Sequence, residues 1–501
     1  MRTLFFILLF TGCCLFSFAQ GLSNLWYLGY ANDYSPPYGG SDINFINNQA
    51  DTSYHQRPMG FDLTNANISD SAGNMLFYTN GAYICNAADD TMLNGTGLNP
   101  SSYTDDSLTQ YFGVGVSQAD IIIPKPGNSF CYYLFHHTYY YGYAYLPILY
   151  KSIVNMSLDG GLGGIELKND TLLEGQLSRS GFIACKHANG RDWWLINHLQ
   201  NNNTYLKWLV SAAGIASPDT QSIGKVTSFS NTGRGQLKFS MQGTKFAYYD
   251  VTGDLDIMDF DRCSGMFSNL VHDSINDSAY VGGCAFSPNG QILYVSSDKY
   301  VYQYDLTAAN IPASRITVAV YDGFVAPVAP FYTTFYQMQN APDGKIYIGC
   351  GNGANYLHVI NYPDSLGIGY DVCQHCLTLP TYNAFGLPNH PNYFLGADTT
   401  SAVCDSLHVG LPKGAVKENA VKVFPNPAAA NSTVHLQYAT LQENALLQLI
   451  DINGKVVQHQ WLPAWSQMQN IKLNNLSSGI YLLRISNTGY KGTAKVIVQN
   501  E

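Results

Sequence analysis

A hairpin signature that recurs along the chain restricts the fold more than any other feature of the sequence. In Gly283–Leu306 a short apolar run ends at Phe286, Ser287-Pro288-Asn289-Gly290 turns the chain, and Ile292–Ser296 then alternates. Pro288 presets φ for the turn, Gly290 can take the positive φ that closes a hairpin, and period-two alternation marks a strand. Asp298-Lys299 breaks the run, and Tyr300–Leu306 reads as a third strand. Three short antiparallel strands cannot bury both faces alone, so the unit requires copies of itself. Similar hairpins stand at Asp70–Gly81, Ala119–Phe135, Phe182–Asn197, Leu237–Tyr249 and Met338–Gly349. Their turn glycines recur at roughly fifty-residue intervals, the period of a propeller blade and longer than a solenoid rung. The expectation is an all-β chain with a WD40-like β-propeller of seven blades over residues 21–398. Six blades are visible as repeats. The seventh is expected to be shared between Asn392-Tyr393-Phe394-Leu395 and N-terminal strands, which would close the ring and remove exposed sheet edges.

Composition supports this reading and excludes others. Only 12% of residues are charged while 46 are Gly and 37 Tyr, a turn-rich β profile. The formal net charge of -10, with no basic cluster to offset it, excludes a nucleic acid as partner. Residues 1–20 read as a signal peptide: Arg2 supplies the positive start, Leu4–Phe10 the apolar core and Ser17-Phe18-Ala19 the cleavage site. No later run approaches the ~20 apolar residues of a membrane span. The mature chain is therefore expected in an oxidising compartment. Of the 11 cysteines, Cys13 and Cys14 would leave with the signal. The remainder is odd in number, so at least one is free or pairs with another chain.

Residues 399–419 are polar, broken by Gly and Pro, and read as a linker. Over 420–501 short alternating strands with turn signals predict a small Ig-like β-sandwich. Four ordered motifs lie there: Phe424-Pro425-Asn426-Pro427, Leu449–Lys455, Leu476–Leu482 and Lys495–Val498. Together they resemble the C-terminal sorting domain of type IX secretion cargo in Gram-negative bacteria. The resemblance rests on Pro425, Asn426, Pro427, Asp451, Gly454, Lys455, Gly479 and Tyr481. It implies export through the periplasm to the medium or outer cell surface, with the secretion machinery as partner. The region before the linker resembles the propeller domains that often precede such tails, through stretches such as Trp26–Gly29, Lys186–Trp194, Asp259–Gly265 and Phe385–Asn389. That resemblance implies a surface protein but no particular activity.

Motifs for chemistry are few. Cys373-Gln374-His375-Cys376 with His390 has ligand types for zinc, yet a structural site normally needs two knuckles. Disulfides involving Cys350, Cys373, Cys376 or Cys404 are the competing reading. Asp250, Asp254, Asp256, Asp259 and Asp261 lack the spacing of an EF-hand loop and read better as strand-end groups that bond turn amides. No nucleophile elbow, zinc-protease helix or phosphate-binding loop occurs. No catalytic residue, metal or cofactor is assigned on this basis. The one unusual stretch is Tyr132–Tyr145, with Tyr139, Tyr141, Tyr143, His136 and His137 as candidate binding residues. Tyrosine offers a flat apolar face with a hydroxyl tip, suited to stacking on sugars or filling a protein interface. The competing reading is a blade wall covered by a loop. The expected function is non-catalytic binding of a polysaccharide or protein; the alternative is a secreted hydrolase acting on a polymer through loop carboxylates.

Overall fold

The computed structural model describes residues 21–499 except 32–36, 227–234, 252–253, 328–330, 370, 399–403, 405–417, 442, 453–454, 475 and 488–489. The signal segment and most of the linker lie outside the described residues. The chain divides into two compact units, Met1–Cys404 and Asp405–Glu501.

In the N-terminal unit the repeated hairpins are antiparallel sheets. Leu25–Gly29, Gly40–Asn44 and Asp51–His55 form the first, and Ala66–Ser69, Met75–Thr79 and Ile84–Asn86 the second. An eight-stranded sheet follows over 120–222, and three four-stranded sheets cover 236–274, 282–320 and 335–378. The eight-stranded sheet is continuous because Gly164–Lys186 is one long strand. Its first part pairs with Leu146–Asn155, its last part with Trp193–Leu199, and the register shifts between Leu177 and Phe182.

The turns explain why the sequence repeats as it does. Gly290 N donates to Ser287 O at 2.9 Å with Gly290 at φ 72°, and Gly344 N donates to Ala341 O at 3.1 Å with φ 78°. A side chain there would strain the left-handed backbone, so the hairpin selects glycine.

The first strands of successive groups lie beside one another in chain order: Leu25–Gly29, Ala66–Ser69, Asp120–Pro124, the end of Gly164–Lys186, Gln236–Phe239, Gly282–Phe286 and Phe335–Asn340. The first sheet then meets the last. Trp26, Leu28, Ile43 and Phe45 share a core with Tyr347, Leu357 and Val359, and the Trp26 and Tyr347 rings lie 5.7 Å apart. The result is a propeller-like ring closed by apolar packing.

Closure differs from the expected shared sheet. Asn392–Leu395 forms no strand; it belongs to a strap, 386–397, that binds the innermost strands one after another. Gly386 N donates to Asp62 O and Asn389 N to Asn65 O. Asn389 Nδ2 donates to Asp120 O at 3.0 Å and Phe182 O at 3.2 Å, while its Oδ1 accepts from Gln118 Nε2 at 3.1 Å. His390 Nε2 donates to Asn67 O, Asn392 Nδ2 to Met241 O and the Tyr393 hydroxyl to Ile122 O. Where the strap leaves, Arg262 donates to Gly396 O, Asp398 N to Ala188 O, and Cys404 is disulfide-bonded to Cys263. The physical reason is an accounting one. Buried carbonyls on strands without a lateral partner need donors, and a strap rich in amide side chains supplies them.

The C-terminal unit is a sandwich. One sheet holds Glu418–Ala420, Ala428–Ala429, Ala445–Ile450, Val456–Leu462, Gly479–Ser486 and Lys491–Gln499; the other holds Lys422–Phe424, Thr433–Gln437 and Met468–Lys472. Alternate residues such as Val434, Leu436, Leu447, Leu449, Leu483 and Ile485 meet in its core.

Replacing Asn389 by Ala should expose the cost of the strap. Two buried carbonyls would lose donors, and each loss costs about 1–3 kcal/mol. Chemical denaturation of the variant should show destabilisation of that order, whereas an unchanged midpoint would mean that the strap contributes nothing to the ring.

Candidate functional site

The tyrosine stretch is divided by the strand that carries it. Cys131–Thr138 lies between Asp120–Pro124 and Leu146–Asn155. Both histidines at its end are fully buried. The His136 ring bonds Asn99 Oδ1 at 2.7 Å and Ser152 Oγ at 2.8 Å. The His137 Nδ1–H donates to Ile148 O at 3.2 Å, and its Nε2 accepts from Asn197 Nδ2 at 2.9 Å. Burial pushes both rings down to about 3, so they are neutral structural groups. The expectation that His136 and His137 meet a partner is corrected: every ring nitrogen is engaged inside the sheet.

Beyond Thr138 the chain leaves the sheet, and the tyrosines become available. Tyr141 is 61% exposed and Tyr143 44%, while Tyr139 is half-buried against the core. A ring from a different part of the chain organises them. Tyr103 meets Tyr139 at 4.9 Å and Tyr141 at 4.8 Å, both edge-on, and its hydroxyl accepts from Gly115 N. The Arg179 guanidinium lies 5.1 Å from the Tyr139 centroid, a cation–π distance. On the other side, Tyr143 packs with Tyr140 at 5.6 Å and Tyr145 at 5.0 Å. The outcome is an aromatic ledge with Tyr139 as its footing and Tyr141 and Tyr143 as its open faces. Tyr103 and Arg179 escape a sequence reading because nothing in Tyr132–Tyr145 points to them. Asp62 interacts electrostatically with Tyr103, and burial raises its carboxyl to about 6.

The other candidates resolve into structural roles. Cys373 and Cys376 are disulfide-bonded to each other on the outermost strand of the last sheet, while His390 sits in the strap and bonds Asn67 O. No zinc set forms from these three. Cys350 is a free buried thiol, as are Cys85, Cys131, Cys185 and Cys284. His187 lies beside Cys263 and Cys404, but those sulfurs bond each other. The His187 ring is engaged by Cys263 O and Asn189 N. Among the aspartates, Asp256 takes His272 and Lys225 N, Asp259 takes Lys245 and Asn269, and Asp261 takes Cys263 N and Ser264. Asp256, Asp259 and Asp261 thus bond separate neighbours, as strand-end groups do.

In the C-terminal unit the motif residues staple the sandwich. Asn426 Nδ2 donates to Lys495 O at 2.7 Å and its Oδ1 accepts from Ile497 N at 2.9 Å, pinning the Pro425-Asn426-Pro427 segment to the last strand. Asp451 and Lys455 exchange two turn bonds, Lys455 N to Asp451 Oδ1 and Asp451 N to Lys455 O. Gly454, between them, lies outside the described residues. Gly479 opens the strand Gly479–Ser486, in which the Tyr481 hydroxyl donates to Ser477 O at 2.8 Å.

Residues 422–499 match the family described as secretion system C-terminal sorting domain. The C-terminal unit is thus a type IX sorting domain, and the protein is secreted or held at the cell surface. No curated protein matches the chain. Among solved structures, a suggested 6-phosphogluconolactonase of Bacteroides fragilis is 11% identical over 74% of this chain and 98% of its own, with a TM-score of 0.43. The periplasmic gluconolactonase of Pseudomonas aeruginosa is 9% identical over 73% and 98%, at 0.40. The WD40 domain of Toxoplasma gondii coronin is 11% identical over 73% and 76%, at 0.35. At such identities and scores neither activity nor substrate transfers to this chain.

The buried histidines make a pH prediction. His136, His137, His198 and His358 are held at about 3 and His390 at about 4, in each case mainly by burial. Unfolded, each would take a proton near ~6.5. The unfolded chain therefore binds protons that the fold refuses, so this stability is complete above ~6.5 and drains as the pH falls toward about 3. Asp62 and the fully buried Asp120, both raised by burial, oppose the trend, but they are outnumbered. The melting midpoint should fall from pH 7 to pH 5, less steeply in His136→Gln. A flat profile in both proteins would contradict the assignment.

Proposed function

We propose that the N-terminal unit is a seven-bladed propeller that binds a polysaccharide or protein outside the cell without catalysis, and that the sorting domain delivers it there. Splitting the eight-stranded sheet where its long strand shifts register, between Leu177 and Phe182, yields two blades and a total of seven. The accompanying division is a signal peptide over 1–20, the ring over 21–398, a linker over 399–419 and the sorting domain over 420–501. The machinery must read the tail as a folded, accessible module, which a polar linker permits.

The observation that carries the binding reading is the ledge. Tyr141 and Tyr143 expose ring faces that are already held by neighbouring rings, so little side-chain freedom remains to be lost on binding. Stacking on such rings is worth about 1–3 kcal/mol each, by analogy with aromatic platforms for bases. The double change Tyr141→Ala with Tyr143→Ala should weaken ligand binding on a glycan or protein array about tenfold or more. Because exposed sites shift stability by less than ~0.5 kcal/mol, its melting midpoint should stay near that of the parent protein. Tyr139→Ala should instead lower the midpoint, since that ring packs on the core. Unchanged binding by the double variant would refute the ledge.

A second reading, a polymer hydrolase, is favoured by one group. Asp62 has its carboxyl raised to about 6 beside Tyr103, a value suited to a general acid. Under that reading Asp62→Asn abolishes cleavage of the bound polymer; under the binding reading the parent protein cleaves nothing. Deleting residues 418–501 should trap the ring inside the cell envelope of a host that runs the pathway, and normal surface delivery would refute the role of the tail.

A further inference from the structure

A cavity of about 880 Å³ lies on the face of the ring that carries the turns Ser287–Gly290 and Ala341–Gly344. It is separate from the tyrosine ledge and reaches inward to the strap. Lys238, Gln339 and His390 line it, with the half-buried rings of Phe239 and Phe394 among its walls. Lys238 and His390 are each only 5% exposed.

The polar groups there are incompletely matched. Lys238 Nζ, with three donors, gives one hydrogen bond, to Gln339 Oε1, and no carboxylate pairs with it among the described residues. A buried cation without a counter-charge is a costly arrangement. The cost shows in its acidity: burial pulls Lys238 down to about 8, which still leaves it mostly protonated at neutral pH. The nearby thiols of Cys185 and Cys284 are pushed up to about 12 by burial and contribute no anion there. His390 donates through Nε2 to Asn67 O, and its Nδ1 is buried out of reach of the cavity's contents. Gln339 joins the two groups, accepting from Lys238 and donating through Nε2 to His390 O at 3.3 Å.

We propose that this cavity binds a sugar acid, whose carboxylate accepts from Lys238 Nζ and whose ring lies against Phe239 and Phe394. The buried cation and the aromatic walls select this class. A neutral sugar leaves the cation unmatched, and an anion without a ring leaves the Phe239 and Phe394 walls uncovered. One molecule bearing one negative charge on a sugar ring satisfies both.

Isothermal titration of the full chain with D-glucuronate, D-galacturonate and D-glucose tests this directly. At least one acid should bind, and D-glucose should bind about tenfold or more weakly, the scale of one charge-assisted hydrogen bond. Lys238→Met should remove that preference. Because this change deletes an unpaired buried charge while keeping the side-chain length, the melting midpoint should hold or rise, which separates lost binding from lost folding. Three results would each overturn the proposal: no acid binding by the parent protein, equal affinity for acid and neutral sugar, or an undiminished preference in Lys238→Met.

Discussion

The ring depends on hydrogen bonds between the strap at 386–397 and the innermost strands. A sheet buries its faces by stacking on its neighbours, but its first strand lacks a lateral partner on the axis side. Asn389 answers this for two strands at once, through Asp120 O and Phe182 O, and takes a third bond from Gln118. Gln118 itself pairs with both polar backbone groups of Leu237, and Gln236 does the same for Met338. The axis of the ring is thus a ladder of amide side chains that replaces the strand pairing a closed barrel would supply. Apolar contact between Trp26 and Tyr347 joins the ends of the ring; the strap ties its members together.

This arrangement explains why so many polar residues are buried in a chain with so few charges. Asn, Gln and neutral His offer both donors and acceptors without the desolvation penalty of an ion. His136, His137 and His390 follow that rule, and burial keeps them neutral. Buried cations such as Arg57 and Lys207 have partners: Arg57 bonds Asp42 at 2.7 Å and the carbonyls of Leu28 and Ser41, and Lys207 bonds Asp219 at 2.9 Å. Lys238 has an amide oxygen as its partner and no carboxylate among the described residues.

Much of the fold was legible because hairpins are local. Each turn glycine, from Asp70–Asn74 to Ala341–Gly344, marked a hairpin that is present, and the β-rich tail formed the expected sandwich. The closure was not legible. Asn392-Tyr393-Phe394-Leu395 has the look of a strand, but Asn392 and the buried Tyr393 bond Met241 O and Ile122 O, more than a hundred residues away. For the candidate residues, only their exposure was legible, and that in part. Tyr141 and Tyr143 are exposed, as consecutive tyrosines beyond a strand should be, whereas His136 and His137 continue the strand into the core. Tyr103 and Arg179, which shape the ledge, meet it only through the fold. The pairing of Cys263 with Cys404 is likewise invisible in a sequence that offers a nearby Cys373 and Cys376.

Since the strap supplies what the inner strands lack, strap and ring should open together. Native-state hydrogen exchange resolved to single amides measures this. The Gly386 and Asn389 amides, bonded to Asp62 O and Asn65 O, should exchange only through the opening that also releases inner-strand amides such as Cys284 and Met338. Outer-edge amides of Asp51–His55 should exchange earlier. If the strap amides exchange freely while the inner strands stay protected, the strap is an accessory and the ring holds itself together without it.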